Sequence, residues 1–152
     1  MSLNFNEAQE IAETLDVSTK ENRAVVYSIS YLPTTQNRDE AYAFVKANPD
    51  FKTLDHTPCG KKIWDIESQS KIDFKASEIK EIWKTASYRF IAAASGNLRA
   101  FVDGADPRSV FCSVEIPQIL KNEKIRTING IDKEKFLSAF QNKQQKQFHQ
   151  PK

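Results

Sequence analysis

The chain has 152 residues, 39% hydrophobic and 28% charged, with a formal charge of +2 from 22 basic and 20 acidic side chains. That length suits one domain with a proper core and is short for two; the composition excludes a disordered chain, and interspersed, nearly balanced charges leave no footprint for nucleic acid. No stretch approaches the ~20 apolar residues of a membrane span, and residues 1–16 lack the basic and apolar regions of an export signal, so the expectation is a soluble protein of the cytoplasm, or one delivered into a target cell by a non-classical route.

In chain order, Ala8, Ile11, Ala12 and Leu15 recur at helical spacing and predict an amphipathic helix over 6–16. Ala24 to Leu32 is rich in β-branched and aromatic residues, is stopped by Pro33, and reads as a buried strand. Asp39 to Lys46 predicts a short helix, which the Asn48-Pro49-Asp50 breaker ends before a loop. Ser77 is the expected cap of a longer helix with Ile79, Ile82, Trp83, Ala86, Phe90 and Ala93 on one face and Gly96 as its stop.

Leu98 to Val102 and Ile125 to Ile128 read as strands, each followed by a turn pair, Asp103-Gly104 and Asn129-Gly130. Asp132 to Phe140 predicts a closing helix. Residues 141–152, mostly Gln and Lys, are too polar to bury and are expected to be disordered, so the domain spans 1–140. Strands alternating with helices give the expected fold class: α/β, a single domain with a small, mainly parallel sheet flanked by helices. Cys59 and Cys112 are too few for a disulfide framework; one bridge between them is the alternative to the expected two free thiols. His56 and His149 are isolated, so no metal site is expected.

Three blocks stand above this background: Thr57-Pro58-Cys59-Gly60-Lys61-Lys62-Ile63-Trp64, then Ile82-Trp83-Lys84-Thr85-Ala86-Ser87-Tyr88-Arg89-Phe90, then Ser109-Val110-Phe111-Cys112-Ser113-Val114-Glu115. Their order and content over 57–130 resemble the ADP-ribosyl cyclase and NAD⁺ glycohydrolase family. There a Pro-Cys-x-Lys-Ile segment leads to one active-site Trp, a Phe-Trp-Lys-x-x-Ser helix brings a second Trp and a Ser, and Ser-x-Phe-x-x-Val-Glu brings the catalytic Glu. The resemblance implies a cyclase-like fold, Glu115 as catalytic carboxylate, and Trp64, Trp83, Ser87, Ser109 and Phe111 as substrate-binding residues. It implies NAD⁺ as substrate, with no cofactor besides.

The sequence departs from the family pattern in two places. The long insert between the tryptophans is missing, together with its acidic pair, and neither Asp65 nor Glu67 can be assigned that role. The family's disulfide network is absent, and Cys112 stands where glycine is usual.

The chemistry needs these residue types. Departure of nicotinamide leaves positive charge over the ribose C1′ and ring oxygen, which a buried carboxylate stabilises. Indole faces suit a substrate with two aromatic ends and keep water off the reacting bond. Ser87, one turn beyond Trp83, shares its helix face and can hydrogen-bond a departing or forming oxygen. Capture by water gives ADP-ribose and capture by adenine gives a cyclic product; the missing insert favours water.

Each residue also has a plainer reading: Trp83 in the core, Trp64 as the anchor of a polar loop, Ser87 as an ordinary helix residue, Glu115 at a strand edge, and Arg89 and Arg99 as solvated charges rather than contacts to a pyrophosphate. The resulting expectation is an NAD⁺ glycohydrolase, a small toxin or effector of bacterial type that drains NAD⁺ and is held off by an immunity protein. Two alternatives stand beside it. One is a small ribonuclease toxin, favoured by mild basicity and the Lys/Gln tail. The other is a non-catalytic nucleotide-binding or interaction module.

Overall fold

The computed structural model describes residues 4–68 and 75–148. Among the described residues six helices and four strands follow one another: α1 (Phe5–Thr14), β1 (Val25–Tyr27), α2 (Gln36–Ala47), α3 (Pro58–Ser68), α4 (Ala76–Ala93), β2 (Gly96–Phe101), α5 (Ile116–Lys121), β3 (Ile125–Ile128), β4 (Ile131–Asp132) and α6 (Lys133–Phe148). A 3-10 turn, Leu54–His56, precedes α3, and a π-helical turn, Phe111–Glu115, runs into α5.

The sheet order is β1-β2-β3-β4, with β1, β2 and β3 parallel and β4 antiparallel at the edge. This is the mainly parallel α/β domain that the alternating pattern predicts. Pleating sends successive side chains of β1 to opposite faces. Val26 joins Leu98, Ala100, Ile125 and Ile128 in the main core with α1, α3, α4 and α5, whereas Val25 and Tyr27 meet Ala41, Phe44 and Val45 of α2 in a smaller one. No described helix is long and apolar enough to cross a membrane.

Several elements differ from expectation. The strand expected over Ala24 to Leu32 is a regular strand only at Val25–Tyr27, with isolated bridges from Ala24 to Lys52 and from Ser30 to Ala105, and Ile29, Tyr31 and Leu32 are exposed. The segment ending in Trp64 is a helix, not a loop. Thr57 sits before Pro58, its Oγ1 accepts from the Gly60 amide at 3.1 Å, and proline's missing N–H costs nothing in a first turn. Gly60 is required there, because a Cβ would lie 1.9 Å from the Leu54 carbonyl oxygen.

Helix α4 starts at Ala76 with Lys75, not Ser77, at its cap; the Lys75 amide donates to the Glu78 carboxylate at 3.1 Å. Its end is at Ala93, and Gly96, at φ +78°, opens β2 instead of stopping the helix. There the chain turns by bonding the Asn122 side-chain amide to the carbonyls of Ile91 and Ala94 at 2.9 and 3.0 Å. Residues 141–148, expected to lack structure, continue α6, since Gln and Lys are good helix formers. Gln144 Nε2 donates to the Ala105 carbonyl at 3.0 Å, which ties this last stretch to the domain. Residues 149–152, including His149, lie outside the described residues.

Candidate active site

A cavity of about 380 Å³ opens beside β1, between the 3-10 turn, α3, α4 and the π-helical turn. All six residues singled out in the sequence line it: Trp64, Trp83, Ser87, Ser109, Phe111 and Glu115. Helix α4 sets two of them one turn apart, Trp83 and Ser87, and its buried face of Ile82, Ala86 and Phe90 fixes them against the core. Helix α3 brings Trp64 across, with the two indole centroids 5.7 Å apart and the planes inclined at 63°.

Glu115 comes from the π-helical turn rather than from a strand. Pro117 explains the irregularity. It has no amide hydrogen for the Ser113 carbonyl, and its ring crowds that carbonyl, so the helix widens just ahead of it. The turn is started by Ser109, whose Oγ accepts from the Cys112 amide at 3.1 Å, and is backed by Phe111, packed edge-to-face on Phe140 at 5.7 Å. Ser109 and Phe111 thus shape the turn as well as line the cavity.

The Glu115 side chain is 6% exposed. Burial pushes its carboxyl up from 4.5 to about 8; a hydrogen bond from Ser87 works against that shift, and the charge of Asp55 adds to it. At neutral pH this carboxyl group is therefore mostly neutral. Trp83 Nε1 donates to Glu67 at 3.3 Å, and the buried Trp64 Nε1 has no partner among the described residues.

Thirteen further residues line the cavity, and among them sequence reasoning gave no place there to Tyr27, Asp55, Glu67, Lys80 and Arg108. Glu67 and Lys80 were within reach of helical spacing, three residues after Trp64 and three before Trp83. Tyr27, Asp55 and Arg108 carried no local signal, because only the fold brings β1, the 3-10 turn and the segment after β2 together. Lys80 and Arg108 are exposed at the rim, where the Lys80 ammonium donates to the Arg108 carbonyl at 3.3 Å.

Arg89 and Arg99, expected to be solvated, have structural partners and stand outside the lining. Arg89 donates to the carbonyls of Ala12 and Leu15 at 2.7 and 2.9 Å, closing the end of α1. Arg99 lies over Phe44 and Phe101 and donates to Asn129 at 3.1 Å. Asp65 is exposed and does not line the cavity.

The sequence matches no family model and no curated protein. Solved structures do match it in three dimensions. An ADP-ribosyl cyclase complexed with N1-cIDPR superposes with a TM-score of 0.52 at 16% identity, covering 71% of this chain and 48% of that one. The Aplysia cyclase complexed with substrate NGD and product cGDPR gives 0.50 at 18%, covering 71% and 47%. A CD38 structure described as a covalent enzyme-substrate complex gives 0.54 at 13%, covering 90% and 76%. The chain has the ADP-ribosyl cyclase fold. It spans about half the length of those cyclases.

Proposed function

We propose that this chain is an NAD⁺ glycohydrolase, breaking the bond between nicotinamide and ribose to give nicotinamide and ADP-ribose, with cyclic ADP-ribose as a branch. The observation that carries the reading is one cavity holding a buried glutamate against a serine hydroxyl beside two tryptophans. In this reading the bound pyridinium cation favours the ionised form of Glu115, whose proton passes to water as the substrate binds. The C1′–N bond breaks with its electron pair passing to the ring nitrogen, which becomes neutral. The Glu115 carboxylate stabilises the positive charge left on the ribose. Water then adds at C1′ and loses a proton, or the adenine of the same molecule adds instead. Trp64 and Trp83 flank the flat rings, and the exposed cations Lys80 and Arg108 suit the pyrophosphate at the cavity mouth.

The test is incubation of the purified chain with NAD⁺ and chromatographic separation of nicotinamide, ADP-ribose and cyclic ADP-ribose, with Glu115→Gln in parallel. Nicotinamide release by the parent, reduced about a hundredfold or more in Glu115→Gln, is the expected result. Intact NAD⁺ at high protein concentration, or a variant as active as the parent, would sink the reading.

A further inference from the structure

Asp55 plays no part in the reaction as written above, yet its side chain is held from two elements at once. Tyr27 on β1 and Tyr42 on α2 both donate their phenol hydroxyls to the same carboxylate oxygen, Oδ2. The two rings stand edge-to-face, 6.0 Å apart, and Tyr42 is backed in turn by His56 at 5.0 Å. Burial first, and the neighbouring Asp55 besides, push both phenols above the usual tyrosine range, so they remain donors. The other oxygen, Oδ1, accepts from no described residue.

The carboxylate is thus pinned by one oxygen and leaves the other unused, in a group that lines the same cavity as Trp64, Trp83 and Glu115. A fixed negative charge beside apolar walls attracts a cation strongly and gains nothing from a neutral ring of equal size. Indole faces act in the same direction. Within the reaction proposed above, the ring is positive before bond cleavage and neutral after it.

We propose that Asp55, clamped by Tyr27 and Tyr42, is the specificity-determining residue by which this cavity prefers a positively charged aromatic ring to its neutral counterpart. The inference rests on the proposed function for the identity of that ring, a pyridinium. It gives Asp55 two tasks: admitting the oxidised nucleotide in preference to the reduced one, whose ring is uncharged, and releasing the neutral product. Tyr42 does not line the cavity and acts as a positioning residue through Asp55.

The experiment uses two probes of the same ring, 1-methylnicotinamide, a cation, and nicotinamide, which is neutral. Each is titrated into the full chain, with quenching of the two tryptophans and calorimetry as readouts. The expected result is binding of the cation about tenfold or more tighter than the neutral ring. Asp55→Asn is expected to close most of that gap by weakening the cation alone, and Tyr42→Phe to narrow it without touching nicotinamide. Tyr42→Phe keeps the test meaningful should Asp55→Asn fail to fold. Equal affinities in the parent, no binding of the cation at millimolar concentration, or a gap that survives both variants overturns the proposal. So does closure by Glu67→Gln in place of Asp55→Asn. A cation preference that follows Asp55 without NAD⁺ cleavage would refute the proposed reaction and leave this inference standing; cleavage through Glu115 with no such preference would do the reverse.

Discussion

Glu115 is a carboxyl group with almost no water around it, and its proton is the quantity on which activity and stability both turn. Its carboxyl sits at about 8 in the folded chain against an ordinary 4.5. Between those values the folded state keeps a proton that the unfolded state has lost, so stability falls as pH rises through that window and levels off above it. The cost reaches roughly 4–5 kcal/mol on the alkaline side. Glu115→Gln carries no such charge. It is expected to unfold at higher denaturant than the parent at pH 9 and to match it at pH 4, and equal midpoints at both would mean the group is better solvated than the structure indicates. Activity has the opposite slope, because the ionised form acts. For the unliganded enzyme kcat/KM is expected to climb through about pH 8, while kcat, measured with the cationic substrate bound, is already level at lower pH. A kcat/KM profile flat from pH 6 to 9 would remove Glu115 from the role proposed for it.

At the scale of elements, the site depends on two short pieces of irregular helix held by particular residues. Helix α3 carries Trp64 and Glu67 and is locked onto the 3-10 turn carrying Asp55 by the close approach at Gly60. A methyl there meets main chain, not a flexible side chain, so Gly60→Ala is expected to destabilise by about 1–3 kcal/mol or more and to impair the cavity with it. Urea unfolding checks this, and a variant as stable as the parent would show that the turn can move aside. The same pieces mark how far the sequence could be read. Long periodic elements were legible: α1, α4, β2 and β3 stand within a few residues of where apolar spacing predicts them. Helix α3 was missed because its apolar residues are few, although Thr57-Pro58 is a cap-and-first-turn signal. The π-helical turn is not legible because Val110, Phe111 and Val114 favour strands singly, and the effect of Pro117 appears only once a helix is assumed. Residues 141–148 looked too polar to fold, a judgement about burial that helix propensity and one hydrogen bond from Gln144 reverse. The six block residues converge on one cavity, but Tyr27, Asp55 and Arg108 reach it through strand pairing and crossover, which no local pattern encodes.

Across the whole molecule, the cavity lies where a parallel sheet ordinarily offers one, beyond the carboxyl ends of its strands. Ser28 and Ile29 follow β1, Arg108 to Phe111 follow β2, and the crossover between these two neighbouring strands supplies α3 and α4. Trp83 packs against the same core as Ile82, Ala86 and Phe90, and Ile63 beside Trp64 belongs to it too, so the cavity wall is one side of the main core and not a separate flap. Wall and core should therefore unfold together. Because the chain has only two tryptophans and both line the cavity, tryptophan emission reports on the wall while far-ultraviolet circular dichroism reports on the helices and sheet. Their urea midpoints are expected to coincide, as a single cooperative transition requires. A non-hydrolysable NAD⁺ analogue at a hundred times its Kd should move both upward together, by about 2.7 kcal/mol. An emission change that precedes the loss of secondary structure would mean that the wall opens by itself. The apolar contacts tying α3 and α4 to the sheet would then be insufficient to hold Glu115 away from water, and its raised carboxyl value could not persist in solution.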